Sequence, residues 1–279
     1  MHYTAFMSLI SQSTLQRWIE NVADRAHPVV SAFEPYVDGL DDLPADGRFL
    51  LVGNHTQAGT EALLIPYLVR RQIGIRVRPL ADRRFGNITG LAGDVFAAAG
   101  AVVGSRDTAR ELMQAGEPIL VFPGGGREIS KAKDQLYELM WKGRTGFARL
   151  AAENDYPIIP VALVGGDDVY HVLTSSDGRW ARMTKPLAAR LTGDSNMAIP
   201  LMRGIGPTLI PRPQRTYLRF GAPIDTTRPK RAVAEKWVET VQMRVKTELE
   251  ADLAALLEVR STDPYRQLAP WARGSAVAP

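Results

Sequence analysis

From residue 48 onward, short apolar runs alternate with longer amphipathic runs, and this alternation constrains the fold more than any other feature. Apolar runs of strand length stand at 48–53, 75–81, 101–104, 118–123, 157–165 and 215–225. Helical patterns stand at 60–72, 87–100, 108–116, 144–155 and 230–261. Strands and helices that alternate in this way build a sheet covered by helices. The sequence therefore predicts an α/β fold with a mixed, largely parallel central sheet flanked by helices.

The alternating region is predicted to form one domain, residues 45–228, between two further segments. Residues 1–44 carry amphipathic patterns, which fit either helices packed on the core or helices lying on a membrane surface. The Gly-, Pro- and Arg-rich segment 166–214 is expected to be an irregular insertion or lid within the domain. Residues 229–279 are predicted to hold a long amphipathic C-terminal helix and an irregular tail.

Composition excludes several kinds of protein. The 279 residues include no cysteine, which excludes disulfides, cysteine-ligated zinc and a thiol nucleophile. A formal charge of +4 favours attraction to an anionic membrane surface but is too small and diffuse to predict nucleic-acid binding. No run approaches the ~18 consecutive apolar residues of a spanning helix, and the N-terminus does not resemble a secretory signal. We expect a chain that does not cross a bilayer by itself.

The stretch GNHTQAGTE places a histidine where a predicted strand ends. Parallel sheets bind their ligands at this end of their strands, and a neutral imidazole such as that of His55 can accept a proton. Glu61 could orient this imidazole only if residues 56–59 are not helical. Gly59 permits such a turn, and Thr60 could cap a helix that follows it. The alternative is that Glu61 only compensates the helix dipole and His55 is a polar loop residue.

A second stretch, PILVFPGGGREIS, runs from a predicted strand into three glycines and an Arg–Glu pair. The candidate binding residues are Gly124, Gly125, Gly126, Arg127 and Glu128. Successive glycines allow a turn whose backbone N–H groups face an anion, and an arginine can bind an oxyanion or phosphate through two hydrogen bonds. The alternative is a tight turn with a solvated arginine. The stretch is not a P-loop, because no Gly-Lys-Ser/Thr follows.

Together these stretches resemble the lysophospholipid/glycerolipid acyltransferase superfamily, which includes the glycerol-3-phosphate acyltransferases. The matching blocks, in family order, are GNHTQAGTE (53–61), GAVVGSR (100–106), FPGGGRE (122–128) and YPIIPVALVG (156–165), followed by the late strand RFGAPID (219–225). The stretch 124–161 is most similar to the monoacylglycerol/diacylglycerol acyltransferase-like branch. Thr60 stands where the commoner pattern has Asp, so the acid is Glu61. Gly124 stands where phosphate-acceptor enzymes usually carry Glu.

The resemblance implies an O-acyltransferase that moves a fatty acyl group from acyl-CoA or acyl carrier protein to a lipid hydroxyl. It implies that His55 is the general base, that Glu61 is its partner, and that transfer is direct, with no acyl-enzyme. The backbone of the Gly124–Gly126 turn would stabilise the oxyanion, Arg127 would position a phosphate, and Glu128 would hold Arg127. Because of Gly124, a neutral glycerolipid or another lipid alcohol is favoured as acceptor.

Other implied roles are less specific. Asn54 and Arg106 are candidates for binding the donor or a headgroup, and Arg106 fits a surface salt bridge equally well. The apolar island 196–211 could line an acyl channel, dip into a bilayer or pack in the core. Asp167 and Asp168 are adjacent and make a poor metal cage, so we predict neither a metal nor a cofactor besides the donor substrate.

The expected partners are acyl-CoA, a lipid acceptor and the membrane surface, without nucleic acid. The expected location is the cytoplasm, peripherally on the inner face of the cell membrane. Three other functions remain open: a 1-acyl-glycerol-3-phosphate or lysophospholipid acyltransferase, a thioesterase or esterase, and a non-catalytic lipid-binding protein.

Overall fold

The computed structural model describes residues 27–81, 102–103, 105–192 and 197–279. The strands in this part of the chain are β1 (Tyr36–Asp38), β2 (Leu50–Gly53), β3 (Arg78–Ala81), β4 (Val102–Val103), β5 (Ile119–Val121), β6 (Ile158–Val164), β7 (His171–Val172), β8 (Met202–Arg203) and β9 (Tyr217–Phe220). The helices are α1 (His27–Ala32), α2 (Glu61–Ile73), α3 (Arg106–Gln114), α4 (Gly126–Ile129), α5 (Gly146–Glu153), α6 (Arg179–Thr192) and α7 (Ala234–Thr262). Short 3-10 helices lie at Leu40–Asp42, Lys133–Gln135, Gly166–Asp168 and Pro270–Ser275.

Seven of the strands form one sheet in the order β1-β9-β6-β2-β5-β3-β4. Neighbouring strands are parallel except for the antiparallel pair β6–β9. The prediction of a mixed, largely parallel central sheet is therefore confirmed. Strand β2 is in the middle of the sheet, so the chain that leaves its carboxyl end emerges at the centre of the sheet edge where parallel folds bind ligands.

Both faces of the sheet are covered, which explains why its strands are almost continuously apolar. All seven residues of β6 are buried. On one face, Ile158, Ala162 and Val164 pack with side chains of α5 and α7. On the other, Ile159, Val161 and Leu163 pack with side chains of α2. The predicted C-terminal helix is confirmed as α7, which buries the stripe Val238, Val241, Val245, Leu249, Leu253 and Leu256.

Two segments differ from the sequence prediction. The sequence predicts an irregular chain for 166–214, but this segment contains α6 and a separate antiparallel pair, β7–β8. Its Gly, Pro and Arg content hid the helical pattern. The sequence also places 36–38 in a helical segment, whereas these residues form β1, a strand too short to give a period of its own.

Some predictions fall outside the described residues, namely the helices before residue 27 and the helix at 87–100. The domain boundaries stay predictions. In the part of the chain that the structure describes, no helix is both long enough and apolar enough to span a bilayer.

Candidate active site

His55 lies just beyond the carboxyl end of β2 and contacts the side chain of Glu61. The chain between them is not helical, since Gly59 has a φ of 65° and α2 begins only at Glu61. Thr60 occupies the N-cap position, although its side chain makes no capping hydrogen bond. This turn directs Glu61 back toward the imidazole, so that His55 Nδ1 is hydrogen bonded to Glu61 Oε1. The turn that the pair requires is therefore present.

The Glu61 carboxylate is fully buried and is oriented by Thr56 as well as by the histidine. Glu61 Oε1 accepts the backbone N–H of Thr56 at 2.8 Å, and Oε2 accepts its hydroxyl at 2.7 Å. Since a carboxylate only accepts hydrogen bonds, His55 donates from Nδ1 and keeps the lone pair on Nε2. That atom has no hydrogen-bond partner among the described residues. It is therefore available to accept a proton from a substrate.

The imidazole is also held from one face by an aromatic ring. Phe122 stacks on His55 with ring centroids 4.5 Å apart and an interplanar angle of 18°. The imidazole side chain is 15% exposed, so it is partly open to a ligand although its Nδ1 side is enclosed. Phe122 follows β5 and opens the glycine turn, which couples the position of the ring to the position of that turn.

Glu128 holds the backbone of His55, which differs from the prediction that it holds Arg127. Its Oε2 accepts the His55 N–H at 2.7 Å, and its Oε1 accepts the Met140 N–H at 2.8 Å. The side chain is fully buried, and burial raises the pKa of Glu128, while these hydrogen bonds and the charge of Lys131 act in the opposite direction. The single turn of α4 directs this carboxylate inward, so we interpret Glu128 as a positioning residue and not as an anion ligand.

Gly124 provides the space that the Glu128 side chain fills. A Cβ atom at position 124 would overlap the carboxyl carbon of Glu128. A glutamate at position 124, as in phosphate-acceptor enzymes, would therefore displace Glu128. In this chain the carboxylate beside the turn comes from position 128 instead.

Substitution of Gly124 by alanine is expected to lower the free energy of unfolding by about 1–3 kcal/mol, the usual cost of overpacking. It should also reduce activity, because Glu128 would release the His55 backbone. Gly126→Ala is the matched control, since a Cβ there meets nothing within 4 Å. Urea unfolding and turnover of both variants test this; equal stabilities would show that Glu128 does not depend on Gly124.

The glycine turn uses part of its own hydrogen-bonding capacity. Gly125 has a φ of 56° and donates its N–H to the Phe122 carbonyl at 3.0 Å. Arg144, which the sequence analysis missed, donates from Nη1 to the Pro123 carbonyl at 2.7 Å and so fixes the turn. Of the three glycines predicted to donate to an oxyanion, Gly125 therefore already uses its N–H in a hydrogen bond within the turn. The N–H groups of Gly124 and Gly126 remain the candidates for an oxyanion.

A buried ion pair under the active-site loop was also missed by the sequence analysis. Lys131 Nζ donates to Asp167 Oδ2 at 2.8 Å and to the His55 carbonyl at 3.0 Å, and both charged side chains are fully buried. Asp167 also accepts the N–H groups of Gln57 and Tyr137, each at 2.9 Å. The pair therefore ties the loop after β2 to the chain after β6. Only tertiary contacts reveal this, because in the sequence Lys131 is typical of a solvated lysine.

The described residues contain no group of three His, Cys, Asp or Glu side chains that could hold a metal ion.

The remaining predicted residues are less directly connected with His55. Asn54 is buried, and its amide exchanges two hydrogen bonds with the backbone of Leu163, at 2.8 and 2.9 Å, so it ties β2 to β6 and leaves no polar atom for a donor substrate. Arg106 is exposed at the start of α3, after β4, which is three strand positions from β2. Arg127 lines a small cavity of about 40 Å³ together with Lys142 and Lys185.

A large apolar cavity of about 770 Å³ begins beside the same loop. Ala58, Thr60 and Gly166 line it next to the active-site turn. Further out it is bounded by apolar side chains that include Val30, Phe33, Leu63, Leu64 and Tyr67. From the island 196–211 only Pro211 contributes to its wall. The cavity is within the range of ~300–1,000 Å³ that is usual for small-molecule sites.

These features define an α/β protein in which a histidine–carboxylate pair follows a central strand, with a glycine turn and an apolar cavity beside the same loop. Residues 34–164 match the model of the Acyltransferase family, and this part of the chain is a domain of that family. The matched range contains the His55–Glu61 pair and the glycine turn, and the resemblance stated from the sequence is confirmed.

Two relatives give the match more detail. Phytyl ester synthase 2, chloroplastic, of Arabidopsis thaliana is 30% identical over 250 residues, which are 84% of this chain and 36% of that protein. A protein of Bos taurus named DGAT1/2-independent enzyme synthesizing storage lipids is 31% identical over 127 residues, 45% of this chain and 37% of that protein. This chain thus spans little more than a third of the length of either relative.

Among solved structures, the 1-acyl-sn-glycerophosphate (LPA) acyltransferase PlsC from Thermotoga maritima is 18% identical, with a TM-score of 0.46 over 86% of this chain and 80% of that chain.

Proposed function

We propose that this protein transfers a fatty acyl group from a thioester donor, acyl-CoA or acyl carrier protein, to the hydroxyl of a lipid alcohol. The observation that carries the proposal is the position of His55, whose Nδ1 is tied to a buried carboxylate while Nε2 has no partner in the described part of the chain. A histidine held in this way is suited to general-base catalysis. The match of residues 34–164 to the Acyltransferase family supports an acyl group as the group that is transferred.

In the proposed mechanism, His55 Nε2 takes the proton of the acceptor hydroxyl as its oxygen attacks the thioester carbonyl carbon. Glu61 stabilises the imidazolium that forms. The N–H groups of Gly124 and Gly126 are the candidate donors to the oxyanion of the tetrahedral intermediate. When the intermediate collapses, the C–S bond breaks, and the thiolate takes the proton from the imidazolium. The chain has no cysteine, and no acyl-enzyme is required.

A neutral lipid alcohol is the acceptor that we propose. Gly124 stands where phosphate-acceptor enzymes usually carry Glu, and the Glu128 side chain fills the space that a side chain at position 124 would need. The apolar cavity beside Thr60 suits a long hydrocarbon chain, since burial of each CH₂ contributes about 0.8 kcal/mol. The relatives named for phytyl ester and storage-lipid synthesis are consistent with an acceptor of this class.

The donor phosphate is proposed to bind near Arg127, Lys142 and Lys185, which line the small cavity together. The reaction would need no cofactor besides the donor. A position at the inner face of the cell membrane remains part of the proposal.

The test is thiol release from acyl-CoA with and without a lipid alcohol, for which phytol, a monoacylglycerol and a diacylglycerol serve as probes. We expect release to require one of the alcohols, because attack by water would need a positioned water in place of the acceptor. Equal release without alcohol would instead identify a thioesterase. No release by a folded protein with any of the three alcohols or with lysophosphatidic acid would favour a lipid-binding role.

A further inference from the structure

Exposed apolar side chains are concentrated in one part of the surface. Of the fourteen large apolar side chains that are exposed in the described part of the chain, nine lie within residues 173–210. Eight of the nine belong to α6 and to the segment 197–210, and we call the outer surface of these eight side chains the insertion face. Exposed apolar patches of this extent on a soluble domain mark contact with a protein or a membrane.

Helix α6 carries three large apolar side chains on its outer surface, against the usual pattern. Trp180, Met183 and Leu187 are 37%, 65% and 51% exposed, and their spacing places them on one face. The adjacent face, which packs inward, carries the small residues Ala181 and Ala188. A surface helix normally buries its large apolar side chains. The large side chains of α6 are therefore available to a partner outside the molecule.

The segment 197–210 is fastened to the domain with its own apolar side chains outward. Its main chain accepts a hydrogen bond from the Trp180 indole at the Ile199 carbonyl (2.8 Å) and one from the Leu173 N–H at the Leu201 carbonyl (2.8 Å). The turn at its end is closed by the Ile205 N–H and the Ile210 carbonyl, also at 2.8 Å. Ile205, Leu209 and Ile210 are 51%, 67% and 60% exposed. These hydrogen bonds fix an outward-facing apolar surface in advance of any contact.

The charged side chains of α6 and of residues 197–212 have a single sign. Arg179, Arg182, Arg190 and Arg203 are exposed there, and within the described residues none of them pairs with a carboxylate. The ranges 179–192 and 197–212 contain no Asp or Glu at all. Apolar side chains among these arginines complement the surface of an anionic bilayer, where the apolar groups enter the interface and the cations contact headgroups.

The insertion face adjoins the large apolar cavity. Pro211 and Arg212 directly follow Ile210 in the chain and line the cavity. Phe33 and Leu63, which also line it, are 53% and 67% exposed. The insertion segment thus ends at the wall of the cavity, which also contains exposed side chains.

We propose that the insertion face docks on an anionic lipid bilayer and holds the opening of the apolar cavity against it. The docking proposal rests only on the apolar side chains and the arginines of the insertion face. Entry of the lipid alcohol from the bilayer into the cavity rests in addition on the proposed acyl transfer.

Vesicle flotation tests docking without reference to activity. The full chain is mixed with vesicles of phosphatidylcholine alone or of phosphatidylcholine and phosphatidylglycerol in a two-to-one ratio. We expect the chain to float with the anionic vesicles and the bound fraction to fall as salt increases. Combined substitution of Trp180, Met183 and Leu187 by serine, or of Ile205, Leu209 and Ile210 by serine, is expected to weaken partitioning about tenfold, because binding scales with the apolar area buried.

The matched control removes three exposed apolar side chains elsewhere, with Val233, Met243 and Trp271 replaced by serine. These are 61%, 65% and 89% exposed. We expect this variant to float like the wild type. Circular dichroism confirms that each variant is folded.

Three outcomes would overturn docking: wild-type protein that stays with the unbound fraction, insertion variants that float as well as the control, or a self-associated wild type that the insertion substitutions convert to monomers without any vesicle binding.

Turnover of a water-soluble short-chain thioester and alcohol separates docking from catalysis. We expect the insertion variants to keep this turnover while losing flotation. Wild type that floats but has no turnover would contradict the proposed function and leave docking standing.

Discussion

Replacement of His55 by alanine is expected to reduce kcat for acyl transfer by about 10²–10⁴-fold, the range that general acid–base catalysis contributes. The variant loses Nε2 of the imidazole. Among the described residues, this is the only ring nitrogen near the glycine turn that is free to take the proton of the acceptor. Thiol release in the presence of the best lipid alcohol measures the effect. The fold should persist, because the imidazole is partly exposed and packs mainly on Phe122.

His171→Ala is the matched control for this substitution. His171 is exposed on β7 and is not part of the site, so its removal should leave kcat unchanged. Thermal unfolding of both variants separates a catalytic defect from a folding defect. A His55→Ala protein that is folded and retains more than about a tenth of wild-type kcat would remove His55 from the mechanism.

Replacement of Lys131 by methionine is expected to lower the free energy of unfolding by about 3–5 kcal/mol, because it leaves the charge of Asp167 buried and unpaired. The size of the effect follows from the complete burial of both partners. Urea unfolding measures it. Activity should also fall, since Lys131 holds the His55 carbonyl as well as Asp167.

Two further variants make this prediction specific. Lys133→Met removes an exposed lysine two residues away and should change stability by less than about 0.5 kcal/mol. The double variant Lys131→Met with Asp167→Leu removes both charges and should recover part of the lost stability. Recovery would be incomplete, because Asp167 also accepts the N–H groups of Gln57 and Tyr137. A Lys131→Met protein as stable as Lys133→Met would show that the pair is not buried in solution.

The sheet could be predicted because its strands have strong local signals. The runs at 48–53 and 157–165 are continuously apolar over the residues that form β2 and β6, as expected of strands that are buried on both faces. These two strands are neighbours at the centre of the sheet. The segment around α6 could not be predicted, because its buried positions hold small residues and its large apolar side chains point outward. The spacing of large apolar residues normally identifies the buried face of a helix. In α6 the three large apolar side chains that the structure describes lie on the exposed face instead.

At the site, residues adjacent in the sequence were predictable and residues adjacent only in space were not. His55, Glu61 and the glycine turn lie in two short stretches whose residue types carry the signal. Glu128 was identified as a site residue, but the groups that it contacts, the N–H of His55 and of Met140, are set by the tertiary position of α4 beside the loop after β2. Lys131 and Asp167 gave no signal, because a buried pair 36 residues apart is defined only by the fold.

The most direct test of the account is the amount of acyl ester formed per thiol released in one reaction of the wild-type chain with acyl-CoA and a lipid alcohol, quantified by mass spectrometry. A histidine base that activates the alcohol for direct transfer predicts one ester for each thiol, and no ester from His55→Ala. Thiol released together with free fatty acid in place of ester, or ester formed equally well by His55→Ala, would contradict it.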